Sequence, residues 1–342
     1  MKSPGVEIEK ESKRDVETGA ESRLVRVVKK YATVIGLVLA ILLFFGTKPT
    51  TFLTPDNIRN ILVAVAVGGV VAVGQTFVFA LFDFDMSQGS TAEVVGVICC
   101  ALMAREHVPV AVVVPLFLVA GAMCGAINGF LVAYVNLNPF ITTMGTLTAF
   151  QGVSFIWTRN EAVSGIPKSF INLGNKGIGP VPYLVIIMVV IAVLGYFLME
   201  RTVLGRRWYA AGGNREASFL AGLDVRRLRF LAFVACGTMS GLGALMLSAR
   251  LAEATQTMGD ALTLNAISAV FLGMTAFKDG LPNVAGTIVG VLFMGVLVNG
   301  MAINYVNSYI QLVVTGFVVI AAVGLAGLLT RKRGGAGGVG LF

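Results

Sequence analysis

Three acids, Asp83, Asp85 and Glu93, lie at the edge of or within long apolar runs, where an ionised side chain is costly and usually serves a function. At the end of a span Asp83 and Asp85 could be solvated at the interface; deeper, an acid could pass protons. Asp85, followed by Ser87 and Gly89, also reads as a helix start whose acid or hydroxyl takes up the free amides of a short, broken helix. The other polar groups within the runs are uncharged: Gln75, Asn128, Thr142, Thr143, Thr146, Gln151, Asn265, Ser268, Thr275, Asn299 and Gln311. Such donors and acceptors suit a neutral, hydroxyl-rich solute, because a charged one would find no compensation in a low-dielectric path. They could instead join helix to helix. Candidates for a translocation path are Asp85, Ser87, Asn128, Thr142, Thr143, Thr146, Asn265, Ser268, Thr275 and Asn299.

Enzymatic chemistry finds little support. No Gly-x-x-x-x-Gly-Lys-Ser/Thr phosphate loop occurs, so the chain is not expected to hydrolyse ATP itself. His107, the single histidine, stands beside Arg105 and Glu106, with no cluster for a metal and no nucleophile triad. Cys99, Cys100, Cys124 and Cys236 fall in apolar runs without CxxC spacing and read as small buried hydrophobes. No cofactor, metal or nucleic acid is expected.

The segment from Gly205 to Leu223 carries a different signal. Asn214 is a good N-cap, Glu216 sits in the first turn where the helix dipole favours an acid, and Gly222 can end a helix with positive φ. A helix of about seven residues is predicted, with Ala217, Leu220 and Ala221 on one small apolar face that lies outside the membrane and wants a partner. It could also lie on lipid headgroups, anchored by the arginines and Trp208.

The elements that must position these groups follow from the composition. With 56% hydrophobic and 13% charged residues in 342, against about 25% charged in soluble domains, this is an integral membrane protein. Apolar runs stand at 31–46, 61–82, 94–104, 108–135, 140–157, 181–199, 230–249, 262–277, 284–303 and 310–329. That makes about ten transmembrane helices. The third is too short to cross about 30 Å of hydrocarbon unless it begins near Ser87, and reads as broken. Residues 1–30, with eight Lys/Arg and six Asp/Glu, form a mobile cytoplasmic tail; 31–330 is the membrane domain, with 200–229 as its cytoplasmic loop; 331–342 is a basic cytoplasmic tail. Alternating sides from a cytoplasmic N-terminus puts 19 Lys/Arg inside and seven outside, so both termini are cytoplasmic. A 171-residue shift superimposes Asn128-Gly129 on Asn299-Gly300 and predicts two inverted five-helix repeats.

At Gly212-Gly213-Asn214-x-x-Ala217-x-x-x-x-Gly222 the chain resembles the permease subunits of bacterial ABC importers of the ribose, xylose, arabinose and autoinducer-sugar type, in the superfamily of branched-chain amino-acid permeases. The resemblance extends from about residue 55 to 325. It includes Asp85-Met86-Ser87-Gln88-Gly89-Ser90, Asn128-Gly129, Pro139 to Thr146, Leu264 to Thr275, Gly286-Thr287 and Asn299-Gly300. Gln88, Met274 and Lys278 to Pro282 depart from the family pattern. The resemblance implies an all-α fold like that of type II ABC importers, in the bacterial plasma (inner) membrane. It makes Gly212, Gly213, Asn214, Glu216, Ala217, Leu220, Ala221 and Gly222 a coupling helix for a separate ATPase subunit, which holds the ATP and Mg. It further implies an extracytoplasmic sugar-binding protein and a second permease copy, the same chain or a paralogue. An ion-coupled secondary transporter, a nucleoside or branched-chain amino-acid permease, and a channel or receptor with no energy partner are the alternatives.

Overall fold

Each of the ten apolar runs forms a helix over most of its length, since in lipid a backbone must satisfy its own hydrogen bonds. The computed structural model describes residues 31–278 and 280–333, with side chains to Gly324; the expected tail at 1–30 lies outside the described residues, as do 334–342. In chain order the helices are α1 (Ala32–Thr47), α2 (Pro49–Phe52), α3 (Pro55–Phe79), α4 (Gln88–Ala104), α5 (Val110–Ala133), α6 (Pro139–Thr158) and α7 (Lys168–Asn175). A two-residue hairpin, β1 (Gly177–Ile178) with β2 (Val181–Pro182), precedes α8 (Tyr183–Arg201), α9 (Val203–Gly213), α10 (Arg215–Leu220), α11 (Val225–Leu251), α12 (Asp260–Met274), α13 (Val284–Ile303) and α14 (Ser308–Arg333).

Among the described residues, α3, α5, α8, α11 and α13 are long and apolar enough to cross a membrane, while α1, α4, α12 and Ser308–Gly324 of α14 are shorter apolar helices. The 20-residue α6 is more polar, yet its hydroxyls are largely turned inward on its own backbone: Thr143 donates to the Pro139 carbonyl at 2.8 Å, Ser154 to Phe150 at 3.1 Å and Thr158 to Ser154 at 2.8 Å. Such bonds let a hydroxylated helix enter an apolar setting.

Two long helices, α3 and α11, form the centre and pack on each other, with α5 against α11 and α13 against α3. The α5–α11 seam is built on glycine. Gly121 and Gly125 face Gly237 and Gly241 so closely that a Cβ on any of them would strike the opposite backbone, the small-residue packing expected where lipid offers no hydrophobic drive between helices. The other face of α5 exposes Val112, Val119, Met123, Ile127 and Phe130, as a lipid-facing surface would.

The bundle has two distinct ends. At one, α9 and α10 lie between the C-terminus of α8 and the N-terminus of α11; at the other, α7 packs Gly174 on the Ala249 backbone near the far end of α11, and Val163 pairs with Ala254. The short α4 and α12 both begin part-way along the bundle, where their first turns cross: Gly89 and Gly259 meet backbone to backbone. Thus the third run begins at Gln88, preceded by a non-helical stretch from Asp83 to Ser87.

Candidate functional site

The break before α4 leaves amides that need partners. Asp85, 2% exposed, accepts from the Ser87 amide at 2.9 Å and from the Ser87 hydroxyl at 2.7 Å through one carboxylate oxygen. Ser87 is the residue before the helix but does not cap it; at φ −88°, ψ 1° it lacks the extended backbone of a capping residue, and its hydroxyl is engaged by Asp85 and by the Asn128 amide at 2.7 Å. The caps come from other helices instead. Thr143 of α6 accepts from the Met86 amide at 3.0 Å, and Thr263 of α12 accepts from the Gly89 amide at 2.7 Å. Glu93 of α4 returns the bond, accepting from the Gly259 amide at 3.2 Å. The two half-helices therefore cap one another.

Next to this crossing lies a buried network of uncharged groups. Gln88 donates to the Val71 carbonyl at 3.1 Å and to the Cys236 sulfur at 3.0 Å, and Cys236 donates to Gln75 at 3.7 Å. Cys236 is thus a polar link as well as a small hydrophobe. Gln75 Nε2, Gln88 Oε1, Glu93 Oε2 and Asn128 Oδ1 have no protein partner, an uncommon state for buried polar atoms.

The α9–α10 end confirms its local reading in detail. Asn214 accepts from the Ala217 amide at 2.9 Å, Glu216 occupies the first turn, and Gly222 has φ +82° with its amide on the Phe219 carbonyl. The helix spans six residues. Ser218 alone is buried; Ala217 and Ala221 are exposed, as are Phe219 at 69% and Leu220 at 79%. Phe219 extends the apolar surface beyond the three residues expected. Gly212 lies flat on the Ala80 carbonyl, where a Cβ would collide, and so brings α9 against the end of α3.

Three ion pairs, two of them on one carboxylate, bind this end to the membrane helices. Asp83 is fully buried, not solvated, and accepts from Arg215 Nη2 at 2.6 Å, Arg229 Nε at 2.7 Å and Arg229 Nη2 at 3.0 Å. Glu200 at the end of α8 accepts from Lys278 at 2.6 Å, while Tyr209 donates to the Pro282 carbonyl at 2.8 Å beneath the Lys278 ammonium. Burial, with Glu200 adding to it, pushes the Tyr209 phenol above its ordinary range, so it remains a donor at working pH.

Of the path candidates, Asp85, Ser87, Asn128, Thr142, Thr143, Ser268 and Thr275 are buried, and Thr146, Asn265 and Asn299 are partly exposed. Asp85, Ser87, Asn128 and Thr143 converge on the break. Thr275 meets Thr33 at 2.5 Å near the end of α12, and Asn299 forms a reciprocal amide pair with Asn57 at 3.0 and 3.1 Å. Asn265 lines a cavity of about 110 Å³ between α3, α12 and α13, with Gly68 and Gly295 in its wall. Sequence reasoning missed Thr263, Arg215 and Arg229, and it missed Asp260, an exposed acid opening α12. Nothing around Gly89, in the first turn of α4, signals that the acceptor for its amide lies 174 residues away.

A bundle of apolar helices, broken at two places around neutral polar groups and bearing a small capped helix at one end, defines an all-α, multi-pass membrane permease. Residues 57–323 match the family described as branched-chain amino acid transport system / permease component, and the chain belongs to that family. It is 33% identical over 303 residues to the D-allose transport system permease protein AlsC of Escherichia coli, covering 88% of this chain and 93% of that one. It is 34% identical to the ribose import permease protein RbsC of Bacillus subtilis (90% and 94% covered) and 33% identical to the L-arabinose ABC transporter permease protein AraH of Azospirillum brasilense (84% and 86%). No solved structure matches the chain. The relatives are permease subunits rather than enzymes.

Proposed function

We propose that this chain is the transmembrane permease of an ATP-driven importer that carries a neutral monosaccharide or related polyol across the bacterial plasma membrane. The observation that carries the reading is α10: a capped helix of six residues, outside the apolar core, presenting Phe219 and Leu220 to a partner. That partner is a separate ATPase subunit, which binds ATP and Mg; an extracytoplasmic sugar-binding protein delivers the solute, and a second permease copy completes the path. The sugar names of the relatives favour sugar over nucleoside or amino acid. The translocation path draws on Asp85, Ser87, Asn128, Thr142, Thr143, Thr146, Asn265, Ser268, Thr275 and Asn299, whose neutral majority suits hydroxyl groups.

Ten spans in two inverted halves are part of the same proposal. The 171-residue shift lays α3, α4, α5 and α6 on α11, α12, α13 and α14 with ends agreeing within four residues. The matched landmarks also favour inversion: Asn128 lies toward the α9–α10 end, one turn before the Val132 carbonyl that Arg229 reaches, whereas Asn299 pairs with Asn57 at the start of α3, toward the α7 end.

In proteoliposomes holding the permease, its ATPase and the binding protein, Ala217→Arg and Phe219→Asp are expected to abolish substrate-stimulated ATP hydrolysis while the permease still inserts. Undiminished stimulation in both variants refutes the coupling role.

A further inference from the structure

We infer that Asp83 is the joint through which displacement of α10 reaches the break between α3 and α4, with Arg215 as the moving arm and Arg229 as the anchor. The inference rests on the reading of α10 as the ATPase-docking helix. One buried carboxylate gathers four parts of the fold. Arg215, the first residue of α10, reaches Asp83 and also the Leu81 carbonyl at 3.0 Å through the same Nη2. Arg229, in the first turns of α11, grips both Asp83 oxygens and places its remaining nitrogen on the Val132 carbonyl of α5 at 3.0 Å.

The two arginines are not equivalent. The Arg229 side chain is 7% exposed and makes a two-point, planar pair with Asp83; that of Arg215 is 44% exposed and holds Asp83 by one nitrogen. Within α10 only Ser218 is buried, so Arg215 supplies the polar tie between this helix and the membrane core. Asp83 stands two residues before Asp85, and the stretch between them is not helical. A shift of Asp83 is therefore passed directly to the group that orders Ser87 and the first turn of α4. Coupling of this kind needs a contact that differs between two states of the transporter, and a single exposed arm on a small surface helix can change while the Asp83–Arg229 pair keeps the carboxylate neutralised.

The test uses the reconstituted permease, ATPase and binding protein. Arg215→Ala leaves Asp83 paired with Arg229. It is expected to keep the ATPase subunit bound while substrate-stimulated hydrolysis and uptake both fall about tenfold, within the range usual for coupled sites. Arg215→Lys should restore part of the loss, since an ammonium can still reach Asp83. Arg215→Gln, which can bond to Leu81 but brings no charge, should behave as Arg215→Ala does and serves as the second variant should the alanine form fail to accumulate. Arg226→Ala removes a neighbouring exposed charge and should leave uptake unchanged. Normal uptake in Arg215→Ala or Arg215→Gln, loss of the ATPase subunit from either, or an equal defect in Arg226→Ala overturns the proposal. The parent reading fails separately: if Ala217→Arg and Phe219→Asp both still bind and are stimulated, α10 is not the docking helix.

Discussion

Asp85 orders the break by accepting two hydrogen bonds from Ser87, and an amide oxygen can accept the same bonds. Asp85→Asn is therefore expected to keep most of the uptake, and uptake should be insensitive to a protonophore when ATP is held constant in proteoliposomes; an acid that carried protons would give the opposite on both counts. Thr263 makes a sharper case. Its hydroxyl is the acceptor for the Gly89 amide at a crossing with little room for water, so Thr263→Val should cost about 1–3 kcal/mol, the penalty for a buried donor left unpaired. Thr263→Ser should be nearly neutral, with thermal unfolding of the detergent-solubilised permease as the readout. The sequence made Asp85 conspicuous because a carboxylate is rare in an apolar run. Thr263 and Arg229 carried no such mark: one is an ordinary polar residue in a span and the other one of seven arginines in a basic loop, and their partners appear only when distant elements are packed.

Helix boundaries were legible because lipid imposes a long apolar run and caps have a local grammar. Val284 to Ile303 coincides with α13, and Asn214, Glu216 and Gly222 occupy the positions their residue types suggest. The start of α4 was marked only by Asp85, Ser87 and Gly89, since the apolar run itself begins at Val94 after the polar stretch Gln88 to Glu93; that stretch is helical because a second half-helix caps it and shields it. The close seams were also hidden among 41 glycines, of which only some lie where another backbone passes. This distinction is testable. Gly125→Ala places a methyl against the Phe233 carbonyl across the α5–α11 seam, whereas Gly152→Ala on α6 meets nothing within 4 Å. The first should lose about 1–3 kcal/mol through overpacking and the second should gain slightly, because alanine is the better helix former. Equal melting temperatures for the two variants would contradict the packing described.

For the molecule as a whole, the decisive question is which end faces the cytoplasm. Lys278 bonds to Glu200 and lies over Tyr209, so it shares an end with α9, α10 and the seven arginines between Arg201 and Arg229. Gln256, by contrast, bonds to Thr158 and to the Glu161 carbonyl, and Arg59 to the Asn175 carbonyl, which gathers the loop after α6, α7 and the hairpin at the opposite end. Basic residues flanking the spans are retained on the cytoplasmic side, and with segments 1–30 and 331–333 assigned by the alternation of spans the first of these ends carries 19 Lys/Arg against seven. A topology reporter fused after Lys278 should therefore read cytoplasmic, and one placed between Arg159 and Pro180 should read external. The pair is informative because α8, α11 and α12 intervene between the two sites, an odd number of crossings if the short α12 completes a span together with the non-helical stretch before it. Reporters on the same side would show that α12 turns back within the membrane, removing both the ten-span count and the inverted repeat, whereas opposite sides in the reverse sense would keep the repeat and place α10 beyond the reach of any cytoplasmic ATPase.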